Sequence, residues 1–471
     1  MLPRISQSVV IVFYILFASC LLASGAPDDR AFKIFDSTEV DYQPSIIRVE
    51  PSGDLLMIFE RLVPPTLRGD MYVTTSTDNG LTWTSPQPAL ATALDERHPS
   101  LIQASSNLYL LFYLAFSTND YYIYRATSND GITWTSQGKI DLGWATKGDA
   151  NPCVIREADG SLTMAYQRIS GRCYMARSLD NGVTWDLLKT ELTNTNAQLP
   201  RIAKRESDGR YMLTYQTGST PCYMWSKTTL DPYAWPLSGT VFDTNTNAHD
   251  SQPMVLEGGM FLVTYAQATT LYFDACYRTS FDGTIWSDCV KITTDPSHYD
   301  TQPHAIRQGT AGRIMVVWSK QQGAGAYNDH DLYIEPELPV PLPLWLDAET
   351  VSAATGGTVN LTLDAGMSKA GRTYLMLTGA SGTDPGTALP GGTSTLPINW
   401  DGMTDIGLSL LNTAVFPNFY GALDAAGQGT AQVNTLGPLP PTAIGALLYF
   451  AYCLDYPWEF VSNPTLVKIA P

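Results

Sequence analysis

At 471 residues the chain is too long for one ordinary domain and suits a large β domain followed by a smaller one. Its 28 basic and 45 acidic residues give a net charge of −17 with no basic block, which excludes nucleic acid as a partner. The same acidity disfavours long-range attraction of anionic polysaccharides.

The chain opens with Arg4, an apolar run over 9–22, and small residues at Ala23, Ser24 and Gly25. That order predicts a signal peptide over 1–25, cleaved after Gly25. A lipid anchor on Cys20 fits less well, because the apolar run continues past it. No later stretch is long and apolar enough to span a bilayer. The mature chain therefore reads as exported, either secreted or attached at the cell surface.

From residue 32 the chain repeats itself. Trp83, Trp134, Trp185, Trp235 and Trp286 stand 51, 51, 50 and 51 residues apart. Each ends a version of one phrase: STDNGLTW, TSNDGITW, SLDNGVTW, the worn TTLDPYAW, and TSFDGTIW. A fixed period of this length means one small β unit stacked many times, because a lone unit cannot bury its apolar face. Within the phrase the serine and aspartate suit backbone N–H groups of a hairpin, and the glycine suits a positive φ. The tryptophan is expected between neighbouring units.

A second repeat lies between the tryptophans. Pro44, Pro99, Pro152, Pro200, Pro253 and Pro303 each open an apolar strand, a turn and a second strand. Six copies of a four-strand unit predict a six-bladed β-propeller over 32–335. The sixth copy lacks its fourth strand, and FKIFDST at 32–38 is an orphan strand able to supply it and close the ring. Prolines at 336, 339, 341 and 343 then mark a semi-rigid linker over 336–343. Residues 344–471 carry three basic and nine acidic residues with short alternating runs such as TVNLTLDAG, and predict a small β-sandwich. The fold class is thus all-β, a six-bladed propeller followed by a sandwich.

The repeated phrase resembles the Asp box of the sialidase superfamily, the BNR-repeat propellers. That resemblance implies a bracing role for Asp78, Asp130, Asp180 and Asp282, away from the ligand face. The tail, through GRTYLMLTGASGTDPGTALPGG and FVSNPTLVKIAP, resembles a module found on exported bacterial proteins. Attachment, glycan binding and stabilisation are all open roles for it.

Ligands of propellers bind at one mouth of the axis. Three positions before each blade-opening proline stand Asp41, Glu96, Asp149, Ala197, Asp250 and Asp300. One position before stand Gln43, His98, Asn151, Leu199, Gln252 and Gln302. Strand alternation would put both sets on the same side, an acidic and amide-rich ring at the axis. Arg61, Arg97, Arg168 and Arg201 are the candidate cationic partners, with His98, His249 and His304 nearby in sequence. Such a ring could be purely structural, could bind a ligand, or could hold a calcium ion, which favours many oxygens. No other cofactor is implied, and no cysteine shows metal-ligand spacing.

Glycoside hydrolysis needs two facing carboxyls, roughly 5 Å apart for retention or up to about 9.5 Å for inversion. Asp149 and Asp250, each beside a polar partner, are the pair the sequence suggests. Against the sialidase pattern the chain departs. Active members open the first blade with Arg-Ile-Pro, where this chain has Tyr42-Gln43-Pro44. The second-strand arginine is matched by Arg61 and an acid by Asp70, while Arg97-His98-Pro99 carries the arginine motif one blade late. The family's Glu-Pro is matched only by Asn151-Pro152 or Leu199-Pro200, and Gln302 stands at the tyrosine's place, with Tyr299 close.

These departures predict glycan recognition without standard sialidase activity. The alternatives are a glycoside hydrolase, exo-sialidase-like or acting on a neutral sugar through a pair of funnel carboxylates, and an adhesion or scaffold protein. Six cysteines follow the leader, and Cys276–Cys289 is the disulfide most favoured by position, flanking one Asp-box hairpin.

Overall fold

The computed structural model describes residues 30–471 except 64, 118–119, 194–195, 219–221, 237, 246, 270, 310–311, 323–328 and 392–393. The signal peptide expected over 1–25 lies outside the described residues.

Residues 32–339 form six antiparallel sheets of four strands, wound as blades. Blade 1 runs Val40–Arg48, Leu55–Val63, Arg68–Ser76 and Gln87–Leu90, and the next four blades repeat the order. Blade 6 takes Asp300–Arg307, Arg313–Gln321 and His330–Pro339, and its fourth strand is Phe32–Lys33 from the start of the propeller. Phe32 pairs with Ile334 and Lys33 with Tyr333, so the orphan strand completes the broken repeat as expected. Beside this seam Val40 pairs in parallel with His330, and Ser319 Oγ donates to the Asp41 carbonyl at 2.7 Å.

The Asp boxes hold the blades together in the way their residues suggest. In blade 3, Ser178 Oγ accepts from Gly182 N at 2.8 Å, Asp180 accepts from Thr184 N at 2.8 Å, and Trp185 Nε1 donates to the Gly182 carbonyl at 3.2 Å. Gly182 has φ 79° and packs so tightly on blade 2 that a Cβ would stand 2.5 Å from Phe112 Cζ. Gly131 meets Leu56 of blade 1 and Gly283 meets Thr228 of blade 4 in the same way. The device is an inter-blade clamp as much as a turn.

Beyond the propeller lie two larger sheets and a two-stranded ribbon of Thr387–Ala388 with Thr395–Leu396. One has three strands in the order Leu344–Leu346, Thr358–Asp364, Gln428–Asn434. The other has five, in the order Thr350–Ser352, Thr465–Ala470, Leu447–Leu454, Thr373–Gly379, Tyr420–Ala422. Val359, Leu361 and Leu363 from the first face Met376, Tyr452 and Val467 from the second across one buried core, as the alternating sequence requires.

The proline-rich stretch over 336–343 is extended but is not a free spacer. Its first half continues a blade 6 strand, with Ile314 paired to Leu338 and Arg313 to Pro339. Leu338, Val340 and Leu342 are buried with Leu262, Trp318, Trp345 and Leu466 in a core shared by propeller and sandwich. The apolar residues between the prolines, not the prolines, decide its place. Gly258, Gly259 and Gly312 of the first turns in blades 5 and 6 meet Thr465, Leu466 and Trp345. These turns lie at the Asp-box end of the blades, so the sandwich leaves the opposite mouth open.

Candidate functional site

The inner strand of every blade carries one irregularity. In blade 1 the register shifts between Tyr42 and Ser45, so Gln43 and Pro44 together oppose one residue of the next strand. Equivalent shifts occur in the other five blades. The bulged residue has positive φ each time: Gln43 50°, His98 51°, Asn151 53°, Leu199 49°, Asp250 60° and Gln302 56°. Six non-glycine residues in the left-handed region at equivalent positions form the ring of the axis.

This ring differs from the expected one in two respects. The faces of a blade look at neighbouring blades, not at the axis, so regular alternation sends the acid two residues before the bulge into a seam. Asp41 accepts two bonds from Arg61, Asp149 accepts from Arg168 at 2.6 Å, Glu96 from Thr92 at 2.7 Å, and Asp300 from Trp318 Nε1 at 2.9 Å. Arg61 lies over the Tyr72 ring at 4.6 Å and Arg168 over Trp144 at 4.5 Å, both inside seams. The acidic ring is therefore not at the axis. A calcium ion there loses its expected donors, and among the described residues no three His, Cys, Asp or Glu side chains cluster to hold a metal.

The second difference is in blade 5. Its bulge falls at Asp250, two residues earlier than Pro253 suggests, and Ala248 takes the seam position. Asp250 is thus the one carboxylate in the ring, and Gln252 lines the axis further toward the Asp-box end. Asp149 and Asp250 do not form a facing pair: one is buried in a seam on Arg168, the other lines the mouth.

At the open mouth lies a cavity of about 430 Å³. It brings together Gln43, Arg97, His98, His249, Asp250 and Gln302 of the residues expected from sequence. It adds Glu60, with Tyr42, Phe273, Tyr299 and His330. Asn151 is in the ring but gives its amide to Gln167 at 2.7 Å. A larger axial cavity of about 580 Å³ opens at the Asp-box end, and Gln43, Asp250 and Gln302 line both, so the ring is the partition. Its remaining lining joins apolar residues of the inner strands to cationic side chains, Arg48, Arg156, Arg201, Lys204 and Arg307, whereas the aromatic rings Tyr42, Phe273 and Tyr299 belong to the smaller cavity.

Glu60 was the missed residue. Alternation in MIFER turns Arg61 toward blade 6 and Glu60 toward blade 2, where its Oε2 accepts from His98 N at 2.8 Å. Burial pushes its carboxyl up to about 7, against the opposing pull of Arg97 and that N–H. Asp250 behaves oppositely. Burial would raise it, but His249 Nδ1 at 2.8 Å from Oδ2, with Arg201 and His98 further off, leaves it below the usual carboxylate range. Burial pushes His98 down to about 3, so its imidazole is neutral. Arg97 is engaged by Asp95 at 2.6 Å and by the Leu67 carbonyl at 2.5 Å.

A family model for the BNR repeat-like domain matches residues 35–300. The chain belongs to this family. NanB sialidase from Streptococcus pneumoniae, as its K499G mutant, superposes with TM-score 0.53 at 13% identity over 65% of this chain and 70% of that one. A protein of unknown function from Dyadobacter fermentans DSM 18053 superposes with TM-score 0.52 at 13% identity, over 65% of this chain and 99% of that one. At such identity these likenesses speak for the sialidase-type propeller fold. No curated protein matches the chain. Among the described residues no helix is long and apolar enough to cross a membrane.

Proposed function

We propose that this BNR-repeat protein recognises a glycan at the open mouth of its propeller and lacks standard sialidase activity. The observation that carries the reading is the mouth cavity of about 430 Å³, with aromatic rings beside amides, carboxyls and imidazoles. Tyr42, Phe273 and Tyr299 supply apolar faces for a sugar ring, and Gln43, Gln302 and Asp250 supply hydrogen bonds to its hydroxyls. Arg97 is the one arginine among the described lining residues, and Asp95 holds it. A three-arginine clamp for a sialic acid carboxylate is therefore missing at this mouth.

The leader and the sandwich at the far face fit a chain that is exported and displayed with its mouth outward. The test is a glycan array probed with the full chain. Binding that is lost in Tyr299→Ala and Gln302→Ala, with no release of sialic acid from sialosides, is the expected result. Silence on every glycan, or binding indifferent to both substitutions, would count against the mouth as the site.

A further inference from the structure

Blades 1, 3 and 4 share a bracing bond, and comparison of the blades exposes two exceptions. One residue near the end of a second strand accepts the backbone N–H of the next blade's bulged residue. Gln167 Oε1 accepts from Leu199 N at 3.1 Å, and Gln216 Oε1 accepts from Asp250 N at 3.0 Å. At the equivalent place in blade 1 stands Glu60, accepting from His98 N at 2.8 Å. Register fixes the equivalence: Tyr42 pairs with Glu60, Ala150 with Gln167, and Gln198 with Gln216. A neutral amide does this structural task in blades 3 and 4. Blade 1 buries a carboxyl for the same bond, which costs desolvation an amide avoids.

The second exception is Asp250, the one carboxylate among ring residues that are elsewhere Gln, His, Asn, Leu and Gln. Both exceptions line the same mouth. One oxygen of each is held by the protein, Glu60 Oε2 by His98 N and Asp250 Oδ2 by His249. Each thereby keeps a second oxygen to offer a ligand.

We propose that Glu60 and Asp250 are the acid and the base of a glycoside hydrolase acting on a neutral glycoside at this mouth. The proposal rests on the mouth being a glycan site. Glu60 delivers its proton to the glycosidic oxygen as the bond from the anomeric carbon to that oxygen breaks. Water attacks the opposite face of the anomeric carbon and gives its proton to Asp250 Oδ1. The products are a free alcohol and a hemiacetal of inverted configuration, with one water consumed. Glu60 is left ionised and Asp250 protonated, and exchange with solvent restores both. Two carboxyls set apart in this way by their surroundings are the pattern such chemistry uses. The substrate is neutral because an anionic sugar would meet the Asp250 charge while the nearest guanidinium is engaged by Asp95.

The experiment uses the full chain on a panel of aryl glycosides and labelled oligosaccharides of neutral sugars, with turnover and binding measured side by side. Release of a neutral sugar with the inverted anomer seen first by NMR is expected. Glu60→Gln keeps the bracing bond, as Gln167 and Gln216 show, so that variant should fold and bind. It should lose roughly a thousandfold in kcat with KM changed only a few-fold. Asp250→Asn should lose a similar factor. The alkaline fall of kcat/KM near pH 7 should vanish from whatever activity Glu60→Gln retains. Turnover within tenfold of wild type in either variant, or a retained anomer, overturns the assignment. A wild type that binds neutral glycans but releases nothing overturns it while leaving the binding reading intact. A wild type that binds no glycan overturns both.

Discussion

Arg61 grips the carboxylate of Asp41 from the neighbouring strand, Nε to Oδ1 at 2.7 Å and a second guanidinium nitrogen to Oδ2 at 2.9 Å. The Asp41 side chain is fully buried and that of Arg61 is 13% exposed. Such a pair is costly to break from one side, because the remaining charge stays buried without compensation. Arg61→Ala is expected to lose about 3–5 kcal/mol in urea unfolding, while the double variant Asp41→Leu/Arg61→Met recovers most of that loss. Glycan binding by whatever folded protein remains should be unchanged. A binding defect that outlasts the recovery of stability in the double variant would restore Arg61 to the mouth.

The propeller was legible because its signals are local and repeated. The Asp-box spacing, the blade-opening prolines and the orphan strand each follow from short-range turn and pairing chemistry, which recurs until it cannot be missed. The ring was less legible because its geometry depends on where a bulge falls. Counting back from Pro253 misplaces Asp250 by two residues, since in blade 5 Ser251 follows the bulged residue and no proline marks it. Asp41, Glu96, Asp149 and Asp300 looked axial because alternation was carried through a bulge that interrupts it. Glu60 lay next to a residue already singled out, but only the direction of Arg61 reveals that its neighbour faces the mouth.

Glu60 also makes stability depend on pH in a direction opposite to most carboxylates. Burial raises its carboxyl from 4.5 to about 7, so the folded state holds this proton more tightly than the unfolded chain. Its contribution is fully present below about pH 4.5 and is lost as pH rises through about 7. Between pH 4.5 and pH 8.5 the wild type should lose up to about 3 kcal/mol relative to Glu60→Gln. Unfolding curves of the two proteins at several pH values check this. A difference that stays flat with pH would show that Glu60 is ionised throughout.

The Asp-box clamp separates backbone strain from steric contact. Gly182 and Gly209 have nearly the same φ, 79° and 77°, but a Cβ at 182 would lie 2.5 Å from Phe112 Cζ whereas at 209 nothing lies within 4 Å. Gly209→Ala is expected to cost about 1 kcal/mol, the price of the left-handed backbone alone. Gly182→Ala should cost roughly 3 kcal/mol, because blade 2 must also move away. Equal losses in the two variants would remove the inter-blade contact as a source of stability.

The favoured disulfide is not formed in this structure, where Cys276 and Cys289 are both thiols. They are nonetheless neighbours in blade 5, with Cys276 paired to Lys291 across the sheet and Cys289 two residues before it. Cys276 holds the Cys289 thiol down at about 6, against the opposing effect of burial. A thiol shifted in this direction holds more thiolate than an ordinary cysteine, and thiolate is the nucleophile that disulfide exchange requires. Cys153, Cys173, Cys222 and Cys453 are buried, and burial pushes each of their thiols up. Under a mild glutathione redox buffer the pair should close first, lowering the intact mass by two hydrogens and joining the peptides that contain 276 and 289. Alkylation before oxidation should label Cys289 fastest. If Cys289 reacts no faster than the four buried thiols, or the mass is unchanged after oxidation, the two sulfurs are not the reactive neighbours this geometry makes them.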